Sequence, residues 1–132
     1  MAEGEPGQGK PGLFELLGIR ILRAGDGESV LEMEVQAKHF APNGYLHAGS
    51  IVSLADSAAG AGCKASLPDD ATSFTTIELK SNFFRTVQQG VVVARGTCLH
   101  AGRTTQVWDV NVSARDTGKT LAEFRCTQLI IY

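Results

Sequence analysis

Asn43-Gly44-Tyr45-Leu46-His47-Ala48-Gly49-Ser50-Ile51-Val52-Ser53-Leu54-Ala55-Asp56 is the stretch whose reading decides the fold. It passes from a turn-rich loop, marked by Asn43-Gly44, into an apolar helix read from Gly49 to Ala65. Between Ile51 and Ala65 only Asp56 and Lys64 carry charge, and the rest is Ala, Gly, Ser, Leu, Ile, Val and Cys. A carboxylate in such surroundings is costly unless it has partners or a task. Just upstream, Ala48 and Gly49 fall where the backbone N–H groups of a helix start have no intrahelical acceptor. Negative charge developing there would be stabilised. One segment thus offers a base or nucleophile and, two turns away, a candidate oxyanion site.

Outward from the helix, strands dominate. On the N-terminal side a short helix is read over Pro11–Leu17, with proline near its start. Strands follow over Gly18–Ala24 and Glu28–Gln36, joined by the hairpin signal Asp26-Gly27. In the second, Leu31, Met33 and Val35 alternate with Glu32 and Glu34. On the C-terminal side four strands are read: Ser73–Phe84, Val91–Ala101, Thr104–Asp116 and Thr120–Tyr132. In the third of these Trp108, Val110, Val112 and Ala114 share one face, and in the last Ala122, Phe124 and Cys126 point inward. The order β-β-α-β-β-β-β, with short connections, predicts an antiparallel α+β fold of one domain over residues 13–132. The helix run Ser57-Ala58-Ala59-Gly60-Ala61-Gly62 lets another backbone approach closely, as expected where a curved sheet wraps a helix. One helix cannot cover both edges of such a sheet, so self-association is expected, with a twofold dimer first.

Composition narrows the partners. The 132 residues are 43% hydrophobic with a formal charge of −2, enough for a core and without a basic patch for nucleic acid. No apolar stretch approaches the roughly 20 residues of a membrane span. Residues 1–12 are rich in Gly, Pro and charge and lack a signal-peptide core, so a flexible tail and a cytoplasmic location are expected. Cys63, Cys98 and Cys126 are scattered, which fits reduced thiols better than a disulfide frame or a metal site. His39 and His100 read as surface or loop residues, without metal-ligand spacing.

These residues carry a resemblance. A single helix in a curled sheet, opened by Gly44-Tyr45-Leu46-His47-Ala48-Gly49 and bearing Asp56, is similar to the hotdog-fold acyl-CoA thioesterases, in particular the phenylacetic-acid-degradation and 4-hydroxybenzoyl-CoA thioesterase group. Asn82-Phe83-Phe84-Arg85, Gly102-Arg103-Thr104 and Gly118-Lys119-Thr120-Leu121-Ala122 extend the match from about Leu13 to Tyr132. The resemblance implies hydrolysis of an acyl-CoA, with an aromatic acyl group as the first guess, by a homodimer that assembles further to a homotetramer. It implies no cofactor, because coenzyme A is part of the substrate. It also implies roles. Asp56 drives thioester cleavage as nucleophile or general base, and the Ala48 N–H polarises the carbonyl. Thr76 is the best match for a Ser or Thr that assists from the partner subunit, with Thr75 and Ser73 close behind. The family's Asn or Gln six residues before the motif histidine falls on Ala41, so Asn43 is the candidate substitute.

His47 reads first as a loop-fixing residue and second as an acid or base. Gly49 and Phe84 are assigned to substrate binding, and Arg85 and Arg103 to the coenzyme A phosphates. Of Phe83, Phe84 and Trp108, alternation assigns at least two to the core. Two other functions compete. The stretch His39-Phe40-Ala41-Pro42 faintly echoes acyl-thioester dehydratases, which would make His39 catalytic. A non-catalytic acyl-CoA binding module would leave Asp56 without a purpose.

Overall fold

The computed structural model describes residues 12–132. The tail expected over residues 1–12 falls outside them except for Gly12, whose N–H donates to Glu15 Oε2 at 2.8 Å and starts a short helix. The elements are α1 (Leu13–Leu17), β1 (Ile19–Gly25), β2 (Glu28–Glu34), α2 (Ala48–Ala65), β3 (Ser73–Phe83), β4 (Val91–Ala101), β5 (Thr105–Ala114) and β6 (Thr120–Ile131), with a 3-10 turn at Ala37–His39. The strands form one sheet in the order β1-β2-β4-β5-β6-β3, antiparallel throughout. This is the expected α+β hotdog architecture: a single long helix against one curled sheet. The Asp26-Gly27 hairpin has both residues at positive φ, 55° and 75°, the turn whose twist matches the flanking strands. Among the described residues no helix is long and apolar enough to cross a membrane.

The small residues of α2 are what lets it lie close to the sheet. Ala55, Ala58, Ala59, Gly62 and Cys63 are buried in that contact, against a core that includes Leu31, Met33, Trp108, Val110, Val112 and Phe124. The Trp108 ring lies over Gly62 so closely that a methyl there would overlap its six-membered ring. The Ser29 hydroxyl donates to the Ala58 carbonyl at 2.7 Å and joins β2 to the helix. Fully buried Leu31, Met33 and Leu54 each contribute about 1.5–3 kcal/mol through removal of apolar surface from water.

Several sequence expectations are corrected here. Phe83 and Phe84 are exposed, and of the three aromatic candidates only Trp108 is in the core. The cause is position: β3 is an edge strand, and Phe83 and Phe84 border an open hollow at the start of α2. Glu32, expected to face solvent, is nearly buried, and the Arg20 and Arg115 guanidinium groups compensate its charge. Simple alternation also fails in β3. The register slips between Thr76 and Glu78, leaving Ile77 as an extra residue. Thr76 is thus opposite Gln128, while Leu79, Ser81 and Phe83 pair with Cys126, Phe124 and Ala122 and share their inward face. Leu79 is nonetheless 43% exposed and Phe83 46%. The inner surface of β3 runs past the cover of its own helix.

Candidate active site

Asp56 is halfway along α2 on its pocket-facing side, half-buried rather than fully desolvated. It lines a pocket of about 390 Å³ with Phe14, Ile21, Ser57, Gly60, Ala61, Lys64, Phe74 and Thr76. The Thr76 hydroxyl is 2.9 Å from Asp56 Oδ1 and 2.9 Å from the carboxamide oxygen of Gln128, which is completely buried. The bulge at Ile77 sets this meeting, since it keeps Thr76 inward and level with Gln128. Thr76, expected to assist from a partner subunit, thus already contacts Asp56 within its own chain.

At the start of α2, His47 is the N-cap, and its Nδ1 accepts the Gly49 N–H at 2.7 Å. This is the loop-fixing role, and it occupies the Gly49 donor. A side chain at position 49 would press on the imidazole, so glycine is what allows the ring to fold over the helix end. The carbonyl of His47 accepts from Ser50 and Ile51. The Ala48 N–H has no acceptor among the described residues. Ala48 itself lines a second pocket, of about 380 Å³, with Leu46, Ile51, Phe83, Phe84, Arg85 and Thr86. Phe84 and Arg85 are thus beside Ala48, and Arg85 is braced there by donating to the Thr120 carbonyl at 2.8 Å.

The other candidates are elsewhere. Asn43 accepts the Tyr45 N–H at 3.2 Å within its own turn and lines neither pocket. Arg103 is exposed, pairs with Asp70 at 3.3 Å and stacks on the Tyr132 ring at 4.7 Å. His39, expected at the surface, is fully buried: Nδ1 accepts the Gln36 N–H and Nε2 donates to the Leu17 carbonyl. Both ring nitrogens are thereby engaged with backbone, so the dehydratase-like reading of His39 fails. Burial pushes the Cys126 thiol up to about 12, with the nearby Asp56 charge adding to it, and pushes Cys63 up to about 11. Neither forms a thiolate nucleophile near neutral pH. Among the described residues no group of three or more His, Cys, Asp or Glu side chains is arranged to hold a metal. A further hollow, about 620 Å³ beside Gln88, Gln89, Gly90 and Asp116, is lined by none of the candidate residues.

Gln128 was missed in the sequence, although a signal existed. It continues the inward row Ala122, Phe124, Cys126 of β6 as a lone amide among apolar side chains.

One relation between the two pockets matters most. Ala48 and Asp56 are eight residues apart on one helix, roughly 12 Å at 1.5 Å per residue. Within one chain the free amide and the carboxylate cannot meet on the same carbonyl group.

Comparison with known proteins fits this geometry. Residues 43–125, from the turn before α2 to the middle of β6, match the family model described as the thioesterase superfamily. The 1,4-dihydroxy-2-naphthoyl-CoA hydrolase of Listeria monocytogenes is 38% identical over 116 residues, 88% of this chain and 93% of the relative. A mutant thioesterase from Pseudomonas aeruginosa superposes with a TM-score of 0.83 at 32% identity, covering 89% of this chain and 84% of that one. A mutant of the phenylacetic acid degradation protein PaaI from Thermus thermophilus gives 0.80 at 29% identity, over 90% of this chain and 97% of that one. The chain belongs to the thioesterase superfamily and is an enzyme built on the hotdog fold.

Proposed function

We propose that the chain hydrolyses an aromatic acyl-CoA to free acid and coenzyme A, at a site that two copies build together. The observation that carries this is the separation on α2 of an unpaired amide, at Ala48, from a carboxylate held by a hydroxyl, at Asp56. Two helices side by side and antiparallel about a twofold axis bring Asp56 next to the partner subunit's Ala48, and each pair has two such sites. The uncovered inner face of β3, with Leu79 and Phe83, supplies apolar surface for that pairing. Two such dimers then form a homotetramer. The aromatic preference rests on similarity to a relative named as a naphthoyl-CoA hydrolase.

In this reading the thioester carbonyl oxygen accepts the Ala48 N–H, which stabilises the oxyanion as it forms. Asp56 either attacks the carbonyl carbon, giving an anhydride that water opens, or takes a proton from the attacking water. Both routes break the C–S bond, release coenzyme A as its thiol and place the oxygen of water in the products. Water is the only co-substrate, and no cofactor enters. Phe84 borders the acyl group. In this reading Arg85 rather than Arg103 meets a coenzyme A phosphate, since Arg85 lines the Ala48 pocket.

The test is a thiol-release screen over aryl and alkyl acyl-CoAs with Asp56→Asn as control. Turnover on an aryl-CoA, lowered at least about 100-fold in the folded variant, is the expected result. Undiminished hydrolysis by Asp56→Asn removes the acid from the mechanism.

A further inference from the structure

The Thr76 hydroxyl is within hydrogen-bond distance of two oxygens, Asp56 Oδ1 and the Gln128 carboxamide oxygen, each at 2.9 Å. A hydroxyl has one proton. If that proton goes to an ionised Asp56, lone pairs on Thr76 and Gln128 are left facing each other inside the core. Rotating the carboxamide by 180° resolves the conflict, because its nitrogen and oxygen fill nearly the same space. The nitrogen then donates to Thr76, and the oxygen faces the Cys126 sulfur, now 3.5 Å from the amide nitrogen. Cys126 is a protonated thiol and can donate to that oxygen. The donors then run in one direction, from Cys126 to Gln128 to Thr76 to Asp56, and each contact along the row pairs one donor with one acceptor. The unrotated amide is consistent only when Asp56 carries a proton and donates it to Thr76.

We infer that Gln128 is a positioning residue: its buried amide nitrogen donates to Thr76 and so commits the single Thr76 proton to the working carboxylate of Asp56. The inference rests on the reading of Asp56 as the reacting acid, but the hydrogen-bond relay has a readout that needs no substrate. Gln128 is fully buried and in the same strand-pair register as Thr76, so its carboxamide has few alternative partners. Held this way, the carboxylate keeps one oxygen engaged and presents the other to the pocket.

Two measurements on the full-length chain test it. In the first, the side-chain amide resonances of Gln128, assigned by their loss in Gln128→Met, shift in Thr76→Val and stay in place in Thr76→Ser. A shift in Cys126→Ala with none in Thr76→Val means that the nitrogen faces the sulfur, and overturns the inference. In the second, Gln128→Met lowers kcat about 10-fold with KM little changed, the scale of one lost hydrogen bond. In a Thr76→Val background the same substitution has almost no further effect on kcat. Equal losses in both backgrounds mean that Gln128 acts only through packing, and also overturn it. Gln128→Leu, which has no donor, gives the same kinetic result should Gln128→Met fail to fold. Absence of thiol release by the unmodified chain would count against the reading of Asp56, while the resonance shifts would still decide the relay.

Discussion

The two faces of α2 use the same small residues for opposite ends. On the sheet side, Ala55, Ala58, Ala59, Gly62 and Cys63 are buried, and glycine at 62 is what makes room for the Trp108 ring. On the pocket side, Ser57, Gly60 and Ala61 leave space around Asp56, and the Phe74 ring is at ordinary contact distance from the place a Gly60 side chain would occupy, 3.5 Å. Small side chains on the first face create density, and on the second they create access. A run that reads uniformly in sequence therefore divides into a structural half and a functional half, with a residue-by-residue boundary set by the helical period.

Gly62→Ala breaks the first face most directly. The added methyl overlaps Trp108, whose Nε1 is tied to the Gln106 carboxamide at 2.8 Å and whose ring is completely enclosed. Neither ring nor helix can yield without opening the core, so a loss of about 3 kcal/mol is expected, at the upper end for overpacking. Thermal or urea unfolding measures it. An unchanged midpoint would mean that the helix is less tightly seated than its contacts state.

Ala48→Pro tests the second face at the oxyanion donor. Position 48 is the first residue of α2, where proline is tolerated because its missing N–H has no helical partner. His47 before it has ψ 132°, the extended backbone that a following proline requires. The substitution deletes one donor and leaves the helix intact. Turnover should fall about 100- to 1,000-fold, the usual consequence of removing one oxyanion-hole donor, with circular dichroism unchanged. Mixing Ala48→Pro chains with Asp56→Asn chains sharpens the point. A site shared by two copies recovers about a quarter of normal activity on random re-pairing, because half the dimers then contain one intact site. A site confined to one chain recovers none.

How much of this was legible in the sequence follows the same division. Regular alternation in Thr105–Ala114 and the turn at Asp26-Gly27 announce their strands, because burial on one face and a fixed twist leave a periodic mark. The bulge at Ile77 leaves none, since the extra residue is read as one more alternation, and with it the pairing of Thr76 with Gln128 is hidden. His39 is buried through bonds to Leu17 and Gln36, the former 22 positions away, which no local pattern encodes. Asp56 stood out as a charge in an apolar helix. Its distance from Ala48 also followed from residue count, yet its meaning depends on which pocket each faces.

Arg85→Ala has a smaller expected effect. Arg85 lines the Ala48 pocket, and its loss should raise KM for coenzyme A thioesters about 5- to 10-fold, on the scale of one charge-assisted contact. Short thioester mimics without the nucleotide should be nearly unaffected. Arg103→Ala should change KM for both by less than about 2-fold, since its charge already has a carboxylate and an aromatic ring. Equal increases for both substrates in Arg85→Ala would assign that residue to the acyl end.

Gly60→Ala is the counterpart of Gly62→Ala, two positions away on the same helix, with the opposite sign. Its methyl meets Phe74 carbons at 3.5 Å, an ordinary van der Waals contact, and nothing has to move. Alanine is favoured over glycine in a helix interior by about 1 kcal/mol, so unfolding should shift to slightly higher temperature. The same methyl narrows the pocket beside Asp56, so KM for bulky aryl thioesters should rise while that for a short acyl group stays put. A loss of stability in Gly60→Ala would show that both faces of α2 are packed alike, and that the space around Asp56 is filled when the protein is assembled.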